Sequence, residues 1–400
     1  MVSPTLTLPP FALPLAVGLA GALLAVALGG RNKAWWGAAI LLVATAVAAR
    51  LVGHSALGAT LGAASELAAL ALVAASGTRD APAATRTFAL ALVPAIVAVG
   101  AGLTLIRLGH LRPAAPWDTI AVGLLMLGFA LKLALVPLYF WLPVVARAVP
   151  AVSLVLIVGV VDTGVLADLA ELAQVAPWIL ADHLAPWTVL AAASLLGGVA
   201  LAIAETDLKT ILVFTGVADA GLILLGLLTV DPVSQTGASL GLVGKALADT
   251  ALFGAVACGE AALGRPLSIA TTRGLAGRLP VASAVFMVGA GALVGLPPSL
   301  GFSAHWRLFR TAEVVGGPVM VTLVFVAVAA LLLVMVRALH RVWLGPAETE
   351  TPAPPAPVAA RVVLIVTALA IVASGLVPRI FEVPTEMPSH ALALVEGTAP

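Results

Sequence analysis

Charge is scarce in this chain of 400 residues: Asp, Glu, Lys and Arg make up 10% of it, against 62% hydrophobic residues. Soluble domains carry about a quarter charged residues, so a water-soluble core is excluded. Neither sign dominates, and a net charge of +1 offers no basic face for nucleic acid. Cysteine is reduced to one residue, Cys258, inside an apolar run. That excludes a disulfide framework and a cysteine-based metal site. A single tyrosine, Tyr139, argues against an aromatic, hydroxyl-lined substrate channel. The glycine-rich stretch "GLAGALLAVALGG" (18–30) is not a phosphate cradle; small residues at this spacing pack transmembrane helices together. With no nucleotide loop and nothing to hold a flavin or iron–sulfur cluster, no cofactor or metal is expected of the chain itself.

What is abundant is apolar sequence in long runs. A helix needs about 20 mostly apolar residues to cross a bilayer. Such runs fall near 11–29, 35–52, 56–76, 87–106, 118–140, 152–174, 187–204, 210–230, 236–262, 281–304, 317–340 and 360–378, twelve in all. The chain reads as an all-α polytopic membrane protein. Its first run lacks a basic stretch ahead of it, with Arg31 and Lys33 following instead, so it reads as a span and not as a signal peptide. Arg and Lys mark cytoplasmic loops. An outside N-terminus places twelve of them inside, Lys209 among them, and six outside, Arg50 among them. Both termini are therefore expected outside, with Arg107 and Arg112 dissenting.

Ionisable side chains nevertheless recur within the runs: Glu66, Lys132, Asp162, Asp168, Asp219, Lys245, Asp249, Glu260 and His305. Each costs about 2.5–3.5 kcal/mol at the bilayer centre on insertion scales, which makes an intramembrane charge a functional candidate by default. Asp168 and Glu260, towards span ends, read equally as structural pairs or as side chains reaching the headgroups. Lys132 and Lys245 lie deep. Lys245 and Asp249, four apart, share a helix face and can pair. Acids and bases in successive helices suggest a relay that passes protons through bridging water. Lys132 is followed by Pro137 and Pro143, and Pro297 and Pro298 precede His305. Proline interrupts a helix, and broken backbone in a membrane is tolerated only inside protein or against water. Two such breaks, one in each half, are expected to mark an inverted repeat with the ion path beside them.

Four stretches resemble one family, the antiporter-like proton-channel subunits of respiratory complex I, membrane-bound hydrogenases and multi-subunit cation/proton antiporters. "KLALVPLYFWLP" (132–143) resembles that family's lysine-containing broken helix. "RAVPAVSLVL" (147–156) resembles its A-P-x-P-V-S segment, and "ETDLKTILVFTGVADAGLILLGL" (205–227) its N-I-K-R…S-I-S-H stretch. "GLAGRLPVASAVFMVGAGALVGLPPSLGFSAHWRLF" (274–309) resembles the later half that ends in G-x-P-x-x-x-G-F-x-x-K. Order and spacing agree over about 55–345, which is taken as a translocation core between N-terminal helices (1–54) and a linker, last helix and tail (346–400). The resemblance implies that Glu66 pairs with Lys132 and that Lys245 stands where many members have a histidine. It also implies that His305 occupies the terminal station. It fails in the middle: the family's central lysine is Val161 here, beside Asp162, while Asp219 and Asp249 replace a histidine and a lysine. Against the fourteen helices common in the family, two early spans are expected to be missing, and no lateral helix is expected after residue 378.

The function expected from the resemblance is a proton-translocating membrane subunit of an energy-converting complex, related to NADH–quinone oxidoreductase or hydrogenase, in a bacterial inner membrane. Redox energy would come from partner subunits, so the chain would be part of a translocase without being its redox enzyme. Two alternatives stay open. One is an ion-gradient-coupled transporter subunit for inorganic carbon uptake or cation/proton antiport. The other is a structural subunit whose central path is broken. Protons and sodium ions are not distinguished, since carboxylates such as Asp162 and Asp249 suit either.

Overall fold

The computed structural model describes residues 12–29, 32–53, 55–109, 111–345 and 356–378. Among them the chain is helical, with one isolated bridge between Asp207 and Ser268. The helices are α1 (Ala12–Leu28), α2 (Lys33–Val52), α3 (Ala56–Ala74), α4 (Ala81–Leu108), α5 (Trp117–Lys132), α6 (Leu142–Ala148), α7 (Ala151–Leu156), α8 (Thr163–Val175), α9 (Trp178–Ala181), α10 (Leu184–Ala204), α11 (Leu208–Leu227), α12 (Pro232–Leu263), α13 (Pro280–Val294), α14 (Leu300–Ala338) and α15 (Val358–Leu376). A π-helical turn, Ile157–Asp162, joins α7 to α8, and another, Leu339–Trp343, extends α14.

Side-chain caps fix several starts. Asn32, Ser55, Asp207, Asp231 and Ser299 each accept a hydrogen bond from a backbone N–H in the first turn of the following helix, which satisfies donors that a helix leaves orphaned. Proline opens α6, α12 and α13, where a missing N–H costs nothing. Pro143 accordingly stands in the first turn of α6, starting the second half of the broken helix.

Among the described residues, nine helices are long and apolar enough to cross a membrane. The twelve sequence runs divide differently because three of them make short helices. The first run gives α1, of 17 residues. The run at 118–140 stops at Lys132, and the run at 281–304 is cut at Gly295. At about 1.5 Å per residue, the 39 residues of α14 would reach far beyond a hydrocarbon core of about 30 Å. The helix is in fact divided by non-helical backbone at Gly316 and Gly317, just before Pro318.

The core lies where the charges are. Every residue of α11 is buried, whereas 28–44% of the residues are buried in α2, α3, α4, α10, α14 and α15 over their most apolar stretch. The unit 151–175 and α12 stand close to α11, at 78% and 83%. Without a hydrophobic driving force between helices in lipid, close packing depends on small residues. Gly221 of α11 shows why: a Cβ there would lie 2.7 Å from the backbone of α10.

Candidate functional site

The first break begins immediately after Lys132, the last residue of α5, and runs to Trp141. Several of its backbone N–H groups are satisfied within the protein, as membrane depth requires. The Leu135 N–H donates to Ala130 O at 2.8 Å, and the Val136 N–H donates to the Ser194 hydroxyl of α10 at 3.1 Å. Trp141 closes the break by donating its indole N–H to Leu131 O at 2.9 Å and stacking on Phe88 of α4. The lysine is thereby held at a fixed depth. Its Nζ lies 2.7 Å from Glu66 Oε1 on α3, with both side chains less than a tenth exposed. Glu66 Oε2 is buried and has no hydrogen-bond partner.

This pair is beside open space. A cavity of about 250 Å³ is lined by Glu66, Lys132, Phe129 and Asp168 and reaches Gly53, Ser55, Arg107 and Leu111 at the helix ends. A second cavity, of about 70 Å³, shares Glu66 with it and is lined by Ser65, Thr163, the π-helical residues 159–161 and Leu242 of α12. Asp162 ends the π-helical turn. It lines a third space of about 10 Å³ together with Lys245 of α12, Val213 and Gly216 of α11 and Leu133 of the first break. That is room for about one water. Asp162 is within electrostatic range of Lys245, Asp249 and Glu66, which stand on either side of it in the row.

The inner half is tighter. Lys245 Nζ meets Asp249 Oδ2 at 2.6 Å one turn along α12, each side chain 2% exposed. Gly216 faces the ammonium: a Cβ there would be 3.1 Å from Nζ. Asp219, a turn further along α11, lies within electrostatic range of both members of the pair. Its Oδ1 is 3.7 Å from His305 Nε2, beyond hydrogen-bond distance. His305 follows the second break, in which Gly295 (φ +78°) ends α13, and Pro297 and Pro298 precede the cap Ser299. A Cβ on Gly295 would lie 2.0 Å from His305 Nδ1, so glycine is required both for the left-handed backbone and for the imidazole.

The seven ionisable candidates thus form one row from Glu66 to His305, and of the four candidate prolines Pro137, Pro297 and Pro298 lie in a break while Pro143 lies in the first turn of α6. Sequence reasoning missed two clusters. Arg50, counted as a loop charge, is largely covered and is held between Asp168, Glu171 and Gly164 O of α8. Lys209, also counted as a loop charge, is buried; it donates to Val149 O at 2.7 Å and pairs with Glu260 at 3.0 Å. Glu260 in turn accepts the Ala151 N–H at 2.9 Å, capping α7. Partners 51 to 121 residues apart leave no local pattern to read. Arg50 and Lys209 stood on opposite sides of the loop tally, so its excess is unchanged.

Residues 92–374 match the family described as NADH:quinone oxidoreductase/Mrp antiporter, transmembrane. The chain belongs to this antiporter family. Among curated relatives, it is 30% identical over 244 residues to NADH-quinone oxidoreductase subunit N 2 of Opitutus terrae, covering 61% of this chain and 50% of that protein. It is 27% identical over 275 residues to F(420)H(2) dehydrogenase subunit N of Methanosarcina mazei, covering 66% and 56%. The chain spans about half the length of the curated relatives it matches. In fold it is similar to a chain of the Mrp complex from Dietzia sp., with TM-score 0.83, 21% identity and coverage of 93% of this chain and 82% of that one. It is similar also to a chain of respiratory complex I from Thermus thermophilus, with TM-score 0.82, 23% identity and coverage of 93% and 81%. The antiporter-like fold is therefore that of this chain, an integral membrane protein of a family whose members are subunits of larger assemblies.

Proposed function

We propose that the chain is a proton-conducting membrane subunit of a larger energy-converting complex of the NADH–quinone oxidoreductase type. The observation that carries this reading is the Glu66–Lys132 pair at the mouth of a broken helix, 2.7 Å apart and facing a cavity of about 250 Å³. Glu66 and Lys132 receive the proton, Asp162 passes it across the π-helical turn, and Lys245, Asp249 and Asp219 carry it to His305. Residues 55–345 form the translocation core. The chain holds ions and hydrogen-bond partners in place, while other membrane subunits supply the driving force. The bilayer is a bacterial inner membrane with both termini on its outer face, the orientation supported by the loop charges. Protons are preferred to sodium because the row alternates ammonium, imidazole and carboxylate, and cationic groups do not ligate sodium.

The test is Lys132→Ala in the complex purified from native membranes. Proton translocation is lost while the co-purifying subunits remain. Unchanged translocation removes the relay, and a missing complex makes the pair structural. One observation favours a structural role for part of the row: Lys245 and Asp249 satisfy each other within one helix at 2% exposure.

A further inference from the structure

The cavities of about 250 and 70 Å³ have four lining residues in common: Ala49, Arg50, Glu66 and Asp168. These residues are the shared wall of the larger space, the vestibule, and the smaller one, the chamber that reaches the π-helical residues 159–161. Arg50 comes from the last turn of α2, crosses to α8, and is one-tenth exposed, whereas Asp168 and Glu171 are 41% and 35% exposed. The carboxylates therefore have access to the vestibule, and the guanidinium occupies the wall. It holds three acceptors: Asp168, Glu171 Oε1 at 2.9 Å and Gly164 O at 3.0 Å. Two residues that line the chamber have a buried oxygen without a hydrogen-bond partner, Glu66 Oε2 and Thr163 Oγ1. Buried polar atoms are ordinarily paired, so the chamber is built for a guest that can hydrogen-bond, which in a path for protons is water.

From this arrangement we infer that Arg50 is the gate of the path, a positioning residue that separates the Glu66–Lys132 station from the chamber leading to Asp162. The inference rests on the conduit reading above and adds to it a regulated step. With the guanidinium bound to α8, vestibule water reaches Glu66 and Lys132 but not Thr163. Glu66 also lies within electrostatic range of Asp168, lines both spaces together with Arg50, and has one oxygen without a hydrogen-bond partner. When Lys132 turns from Glu66 into the break, Arg50 can exchange Asp168 for Glu66 without losing a charged partner. The wall then opens, and the chamber joins the vestibule. The fork of the guanidinium suits it to this exchange, since it can hold two carboxylates at once.

Cysteine labelling tests the gate independently of proton flow. The natural cysteine, Cys258, is buried, so it serves as an internal control for unfolding. Thr163→Cys lines the chamber alone and Ser55→Cys the vestibule alone. In membranes containing the assembled complex, a small water-soluble thiol reagent is expected to label Ser55→Cys quickly and Thr163→Cys slowly. Adding Arg50→Ala raises the Thr163→Cys rate by about tenfold or more, as loss of a charge-assisted clamp shifts the open population. Arg50→Lys, which keeps the charge without the fork, falls between. Should Arg50→Ala also expose Cys258, Asp168→Asn replaces it and is expected to raise the rate in the same direction. The gate is overturned if neither variant changes Thr163→Cys labelling, if that site labels quickly from the start, or if Ser55→Cys does not label. Lys132→Ala separates the two claims: faster labelling through Arg50→Ala with undiminished translocation in Lys132→Ala keeps the gate and removes the conduit.

Discussion

Of the three lysine–carboxylate pairs among the described residues, the two that belong to the row have nearly the same length and different surroundings. Glu66 and Lys132 come from different helices, meet at 2.7 Å where α5 breaks, and face a cavity of about 250 Å³. Lys245 and Asp249 come from one unbroken helix and meet at 2.6 Å, with a space of about 10 Å³ beside Lys245. A pair between helices can separate if either element moves, and water can then solvate both charges. A pair within one turn of a buried helix can part only by rotamer change, with little water to help. The same chemistry is thus mobile at one end of the row and constrained at the other. The outer pair is suited to capture and release, and the inner pair to transfer.

The largest effect that would sharpen this contrast is on stability. Lys245→Met leaves Asp249 buried without its partner, which costs about 3–5 kcal/mol. The double variant Lys245→Met/Asp249→Leu recovers most of that loss, because well-packed apolar replacements of a buried pair are often neutral or better. Thermal unfolding of the purified complex measures both. Equal loss in the single and double variants would mean that the pair contributes more than mutual neutralisation. Glu66→Gln, at the wet pair, is expected to cost less, about 1–2 kcal/mol, while translocation is lost. A cost equal to that of Lys245→Met would erase the distinction between the two regions.

Gly295→Ala is the next step down. It places a Cβ at 2.0 Å from His305 Nδ1 at a residue with φ +78°, for a destabilisation of about 1–3 kcal/mol. Translocation should fall as the imidazole is displaced from Asp219, and an unaltered rate would exclude His305 from the path. The smallest effect is expected at Arg112→Ala. Its bond to Asp182, at 2.7 Å, joins side chains that are about half exposed, and such pairs contribute about 0–1 kcal/mol.

The same division governed what could be read from the sequence. Lys245 and Asp249 were legible as a pair because helical periodicity alone puts them on one face. The break after Lys132 was legible because Pro137 forbids regular helix, and Glu66 was assigned to it only through the family resemblance. The π-helical turn at 157–162 carries no such mark: its residues, IVGVVD, read as ordinary apolar helix. The Arg50 clamp was hidden for another reason. Arg50 and Lys209 are charges near helix ends, where charge is usually solvated, and only the reach of the Arg50 side chain to α8 and the packing of α11 on α12 show them held inside the protein. Local rules reached the inner pair and the breaks. The wall and the cap of α7 depend on tertiary placement.

The claim on which the path depends is that Asp162 joins the wet pair to the dry one. Proton translocation by the assembled complex carrying Asp162→Asn measures this directly, since the amide keeps the size of the side chain and removes its ability to exchange a proton at neutral pH. The account predicts a fall of about tenfold or more, the scale of losing one proton-transfer group, with assembly intact. Translocation at the wild-type rate would mean that protons bypass this residue, and that the two pairs do not belong to one path.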